Sequence, residues 1–223
     1  MSLAETSARP SERPYSNAEL IADGAVHAAA LLAGAVAFSL LFAKAPLRGG
    51  FGERFAFGVY AIGFFTCFSF SFAYNMAPVS QLKQVLGRCD RSAIFVMIAG
   101  TYTALLSQLQ GGLWIVALAV FVWCGAIGGA ALNLLAPGRL DRVAVALYLG
   151  LGWSAIVVIR PLVADLPTNA LAFVLCGGLL YSIGVAFYLW RSLKFQNAIW
   201  HGFVTIAAGC HFVGVLEAAT RAT

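Results

Sequence analysis

Two polar pairs stand four residues apart inside otherwise apolar stretches: Ser71 with Asn75 in Ser-Phe-Ala-Tyr-Asn, and Asn197 with His201 in Asn-Ala-Ile-Trp-His. On a helix that spacing puts both members on one face. Asp90 sits in a short basic stretch, and His27 and His211 add two further imidazoles. Hydroxyl, carboxylate, amide and imidazole groups gathered in this way can form a chemical site or a structural hydrogen-bond network. Inside a membrane span such groups are costly unless they face a bundle interior. Gathered near one end of their helices, they predict a site close to one membrane face. Each also has a structural reading. Ser71 would bond back to a carbonyl of its own helix, Asp90 would pair with Arg88 or Arg91 at the interface, and the histidines would tie helices together.

The elements that carry these groups follow from composition. The chain is 61% hydrophobic and 10% charged over 223 residues, with mean hydropathy +0.86, too apolar to clothe a soluble domain. About 20 apolar residues cross a bilayer as a helix. Seven runs approach or exceed that length, at 20–43, 55–76, 91–109, 112–135, 143–163, 168–190 and 197–219. The fold class is therefore all-α: one integral membrane bundle of seven transmembrane helices over residues 19–220, behind a polar tail of residues 1–18. The tail holds Pro10 and Pro14 and no hydrophobic run, so the first span is expected to act as the targeting signal. Asn17 is the expected N-cap of the first helix, with Glu19 and Asp23 near its positive end.

Loop charge sets the orientation. With a cytoplasmic N-terminus, inside segments carry nine Lys and Arg residues and outside segments five, which predicts N-in and C-out. On that topology Ser71, Asn75, Asp90, Asn197 and His201 fall at the inner leaflet, His27 lies in the inner half of helix one, and Asp90 just precedes helix three. His211 falls about 15 Å beyond His201 along helix seven. The net charge of +5 suits loops that meet anionic headgroups, and nothing else points to nucleic acid. Membrane lipids are the expected partners and the cell membrane the expected location. Cys67, Cys89, Cys124, Cys176 and Cys210 show no CxxC spacing and read as packing residues. Gly125 to Gly129, and Gly177, Gly178 and Gly184, read as close helix contacts within the bundle. Arg160 with Asp165, and Glu217 with Arg221, read as snorkelling or ion pairing at the outer face.

The string Cys89-Asp-Arg-Ser-Ala-Ile-Phe-Val-Met-Ile-Ala-Gly-Thr-Tyr-Thr103 resembles the third-helix motif of hemolysin III proteins, within the progestin and adipoQ receptor group. Gly177-Gly-Leu-Leu-Tyr-Ser-Ile-Gly-Val-Ala-Phe-Tyr188 is similar to that family's sixth helix, and Ala198-Ile-Trp-His-Gly-Phe-Val204 to its seventh. Ser71 to Asn75 falls at the second-helix motif and Asp23 to His27 at the opening of helix one, so the resemblance covers residues 17–217. It implies a cytoplasmic N-terminus, in agreement with the loop charges. It also implies a zinc ion near the cytoplasmic face, held in relatives by one histidine of the second helix and two, four residues apart, of the seventh. A serine and an aspartate, here Ser71 and Asp90, complete a site like that of membrane ceramidases. There the metal activates water and polarises a lipid amide carbonyl.

In this chain those ligand positions hold Asn75, Asn197 and His201. An uncharged amide oxygen binds zinc poorly. Losing two imidazoles of three predicts a degenerate zinc site, unless His27, His211 or Asp90 moves in. The alternatives are a hydrogen-bonded polar pocket of Asn75, Asn197, His27 and His211, or a harder cation on oxygen ligands. The leading functional expectation is a lipid-related role, receptor-like or in membrane homeostasis. A metal-dependent lipid amide hydrolase comes second, with Ser71 and Asp90 catalytic and His201 on the metal. A pore-former comes last, because no helix carries a continuous polar stripe and Phe64, Phe65, Phe68, Phe70 and Phe72 crowd helix two. A transporter would show broken helices and mid-membrane charges, and the sequence suggests neither.

Overall fold

The computed structural model describes residues 15–44, 50–110, 112–135 and 141–220, and every regular element among them is helical. In chain order these are α1 (Asn17–Lys44), α2 (Gly50–Met76), α3 (Gln81–Leu106), α4 (Leu113–Leu135), α5 (Asp141–Gly152), a 3-10 helix (Ser154–Val158), α6 (Ile159–Asp165), α7 (Thr168–Leu189) and α8 (Gln196–Thr220). The expected N-terminal tail up to residue 14, Arg139 and Arg221 lie outside the described residues. Burial is inverted relative to a soluble protein. On α1, Ile21, Leu32 and Val36 face outward, while Glu19, Asp23 and His27 are buried. Apolar faces turned to lipid and polar groups turned inward are what a bilayer demands.

Among the described residues, six segments are long and apolar enough to cross a membrane: α1, α2, α4, the stretch Val143–Asp165, α7 and α8. The chain is thus an integral multi-pass membrane protein. The remaining expected span, 91–109, overlaps α3 and runs three residues past its end at Leu106; Asp90, Arg91 and the Thr101-Tyr102-Thr103 string dilute the hydropathy of this helix. Helix α3 is the most internal element, packed on α2 and α4 and touching α5 and α8, so its surface meets protein more than lipid. Helix α8 packs on α7 and on α1, which closes the ring.

Small residues set the closest approaches. A Cβ on Gly63 would lie 3.0 Å from the Val96 carbonyl oxygen, and one on Gly100 would lie 3.0 Å from that of Val59. These two glycines let the α2 and α3 backbones meet, as helices in lipid require. Gly129 faces the Phe95 ring and Gly125 faces Leu151, so these two glycines of α4 serve contacts inside the bundle, whereas Gly128 faces open space.

Three expectations are corrected at helix ends and breaks. Ser16, rather than Asn17, caps α1. Its hydroxyl accepts the Glu19 N–H at 3.3 Å, while its own N–H donates to Glu19 Oε2 at 3.0 Å, which is a capping box. Helix α3 begins ahead of its expected span, because extended Ser80, just after Pro78, accepts the Lys83 N–H at 3.2 Å. Asp90 therefore lies in the third turn of α3 rather than before it. Lys83 closes the same corner: its Nζ donates to the Ala77 carbonyl at 2.8 Å and lies over the Tyr74 ring. Partial burial there draws its pKa below the ordinary lysine value.

The third correction concerns the fifth span, which is broken between α5 and α6 where an unbroken helix was expected. Gly150, Gly152 and Pro161 weaken the helix locally. The freed backbone groups are met by Tyr102 of α3, whose hydroxyl receives the Ala155 N–H at 2.9 Å and lies 2.9 Å from the Gly152 carbonyl oxygen. Irregular backbone survives at membrane depth only with such partners.

Candidate functional site

The opening turns of α1, α3 and α8 meet the closing turns of α2 at one end of the bundle. The turn before α8 is fixed first. Phe195 takes a left-handed φ of 59°, and its N–H donates to Glu19 Oε1 at 2.8 Å. The Gln196 side chain donates to the Tyr188 carbonyl at 3.0 Å. These bonds lash the start of α8 to α1 and α7, and they set where Asn197 and His201 emerge.

His201 then lies between two helices. Its Nδ1 is 2.5 Å from Asp23 Oδ1 and its Nε2 is 3.2 Å from Ser71 Oγ. A carboxylate oxygen accepts, so the proton belongs on Nδ1, and Nε2 accepts from the Ser71 hydroxyl. His27 is arranged differently. Its Nδ1–H donates to the Asp23 carbonyl, one turn back, at 2.8 Å. That leaves Nε2 of His27 as a bare lone pair. Both this nitrogen and Asp23 Oδ2 are buried without a hydrogen-bond partner, on residues only 0% and 1% exposed. The His27 and His201 rings are 4.3 Å apart, and Phe68 and Phe72 flank His27.

This group could hold a metal ion. Asp23, His27 and His201 each place a ligand atom within 4.8 Å of the others. A buried acceptor without a hydrogen bond costs about 1–3 kcal/mol, and a cation held among these residues would relieve that cost. The carboxylate supplies charge, and the imidazole supplies a nitrogen whose ring partner is already fixed on a backbone carbonyl. That second bond is the usual support of a metal-binding histidine.

The two asparagines do something else. Asn75 donates to the Ser71 carbonyl at 2.9 Å, and Asn197 donates to Asn75 Oδ1 at 3.1 Å. They join α2 to α8 amide to amide. The Tyr15 hydroxyl lies over this link, 3.1 Å from Asn197 Oδ1. Asp90, half-buried, sits beside the Ser71 hydroxyl and within electrostatic reach of His201, Asp23 and Arg91.

His27, Ser71, Asn75, Asp90, Asn197 and His201 thus come together, whereas His211 does not. His211 Nε2–H donates to the Val174 carbonyl at 3.1 Å, and its ring packs beside Tyr181 and against Gly177. Asp23 is the member that sequence reasoning missed, having taken it for a helix-start charge. Its signal was present: Asp23 and His27 are four apart, like Ser71 with Asn75 and Asn197 with His201.

Residues 18–212 match the family model described as Haemolysin-III related. Hemolysin-3 of Bacillus cereus is 34% identical over 199 residues, covering 89% of this chain and 90% of that protein. The Hemolysin-3 homolog of Bacillus subtilis (strain 168) is 33% identical over 199 residues, 89% of this chain and 93% of the relative. The Homo sapiens monocyte to macrophage differentiation factor is 29% identical over 169 residues, 73% of this chain and 70% of that protein.

Proposed function

This chain belongs to the haemolysin-III related family, and we propose that it is a metal-dependent membrane hydrolase acting on a lipid amide. The observation that carries this reading is that buried Asp23 Oδ2 and His27 Nε2 have no hydrogen-bond partner, while Asp23, His27 and His201 each place a ligand atom within 4.8 Å of the others. Zinc is the ion proposed. One carboxylate and two imidazoles are a ligand class of catalytic zinc sites, which keep a position open for substrate. When bound, such an ion supplies Lewis acidity toward an acyl carbonyl. Asp23 and His27 would stand in for the imidazoles missing at positions 75 and 197.

The chain's own groups do the remaining work. Ser71 and Asp90 flank His201, where they orient water and carry a proton. Phe68 and Phe72 keep bulk water from the His27 side. His201 is five residues inside α8, about 8 Å from its start. From the loop charges we place this end of the bundle on the cytoplasmic side of the cell membrane.

The test is metal content by mass spectrometry on detergent-purified protein, together with turnover of a ceramide-like lipid. The expected result is near-stoichiometric zinc, lost in Asp23→Ala and in His27→Ala, with turnover abolished in Asp90→Ala and His201→Ala. Protein without metal or turnover would refute the hydrolase and favour a receptor-like or homeostatic role. The Asn75–Asn197 link, which ties up two family ligand positions, is the observation on that side.

A further inference from the structure

Both ring nitrogens of His201 have partners inside the bundle. Its Nδ1 is committed to Asp23 Oδ1 at 2.5 Å and its Nε2 to Ser71 Oγ at 3.2 Å. From the hydroxyl end, this is a serine, an imidazole able to take its proton, and a carboxylate that fixes the imidazole tautomer, with the Asp90 carboxylate beside Ser71 as a second acceptor for the same proton. That constellation makes a serine nucleophilic, and it is recognised by geometry rather than by order along the chain. The three groups come from α2, α8 and α1, and all three residues are buried.

We propose that, with no cation bound, Ser71 is the nucleophile of a metal-independent acyl transfer, forming an ester between its Oγ and the fatty acyl group of a lipid amide or ester. The proposal rests on the reading of this site as a lipid acyl hydrolase, but not on its metal. Ser71 Oγ attacks the carbonyl carbon as its proton passes to His201 Nε2. The C–N or C–O bond to the lipid's amine or alcohol breaks, and that leaving group takes the proton from His201. Water then cleaves the Ser71 ester by the same route, releasing the fatty acid and restoring the hydroxyl. No redox change occurs, and water is the sole co-reactant. Ser71 and His201 are the catalytic residues, and Asp23 is a positioning residue. A cation that claims a ring nitrogen of His201 takes the base away from Ser71, so the two chemistries exclude each other.

The experiment treats the purified full chain, chelated or zinc-loaded, with a long-chain alkyl fluorophosphonate and maps the adduct by peptide mass spectrometry. The expected result is phosphonylation of Ser71 in the chelated protein and its loss when zinc is added. His201→Gln should slow labelling about 100-fold or more, the usual worth of a positioned general base. Asp23→Asn should slow it about tenfold or more through the wrong tautomer. Ser71→Ala should abolish it. Ser71→Cys, which keeps a nucleophile, should instead retain an acyl group from a fatty acyl donor as a thioester, which a merely structural serine would not predict. Thermal melting confirms that each variant is folded. Failure to label Ser71 in folded, chelated protein overturns the proposal, as does wild-type labelling of His201→Gln. Labelling that ignores zinc supports the proposal while telling against the metal centre. Zinc binding without labelling does the reverse.

Discussion

Tyr102→Phe removes a single oxygen from the break in the fifth span. That hydroxyl receives the Ala155 N–H at 2.9 Å and the Ser154 hydroxyl at 3.1 Å. It also faces the carbonyls of Leu151 and Gly152, at 3.1 and 2.9 Å. Ser154 keeps a second bond to the Leu151 carbonyl at 2.7 Å, so its share of the loss is small. The Ala155 amide has no such reserve. It lies in the first turn of the 3-10 helix, where an N–H has no intrahelical acceptor. Leaving it unpaired costs about 1–3 kcal/mol, and the carbonyl that loses its donor adds about 1 kcal/mol more. The sum, about 2–4 kcal/mol, exceeds the average of about 0.6 kcal/mol for hydrogen bonds between membrane helices. Those smaller values come from groups that find other partners, and a backbone amide in a fixed turn cannot. Unfolding in mixed detergent and SDS measures the loss. Zinc content should be unchanged, since Tyr102 lies about 18 Å along α3 from Asp90. A destabilisation below about 0.5 kcal/mol, the range of an inert surface change, would mean that the break is satisfied without Tyr102 and would refute the argument.

Gly129→Ala would drive a methyl into the fully buried Phe95 ring and cost about 1–3 kcal/mol. Gly128→Ala, with open space around it, should be neutral in the same unfolding measurement. Glu19→Gln weakens the charge-assisted bond to the Phe195 N–H, worth about 1.5–3 kcal/mol. Hydrogen exchange should quicken at Phe195, and unchanged exchange would show that the turn holds without the carboxylate. The double substitution Asn75→His with Asn197→His replaces the amide link by two imidazoles near His201. It should raise zinc affinity about 100-fold or more, since nitrogen ligands replace poor ones. Equal affinity, by competition with a chelator, would mean that positions 75 and 197 do not face the ion.

Helix placement was legible in the sequence because bilayer thickness dictates the length of an apolar run, and residue hydropathy reports it directly. The expected span 197–219 and helix Gln196–Thr220 agree for that reason. Hydropathy measures transfer into lipid, however, and not hydrogen bonding. The run 143–163 reads as continuous although the backbone breaks inside it, and the partner that permits the break, Tyr102, is about 50 residues away. Site residues divide on the same line. Ser71, Asn75, Asn197 and His201 announce themselves by local spacing. Asp23 shares that four-residue spacing with His27, but its contact with His201 spans 178 residues, which no local pattern reports. His211 had the right chemistry at the wrong angle: ten residues past His201 turns it about 280° around the helix, toward α7 and the Val174 carbonyl.

Asp23 and His27 belong to the first described helix and His201 to the last, which has a consequence for how the protein is made. Synthesis delivers the serine and the carboxylate to the membrane long before the imidazole that joins them. Until α8 arrives, the Ser71 hydroxyl and the Asp23 carboxylate lack the imidazole that bridges them in the folded bundle. Until then the polar face of α1 has no α8 to cover it. The contacts among Ser71, His201 and Asp23 therefore form only once α8 has joined α1 and α2.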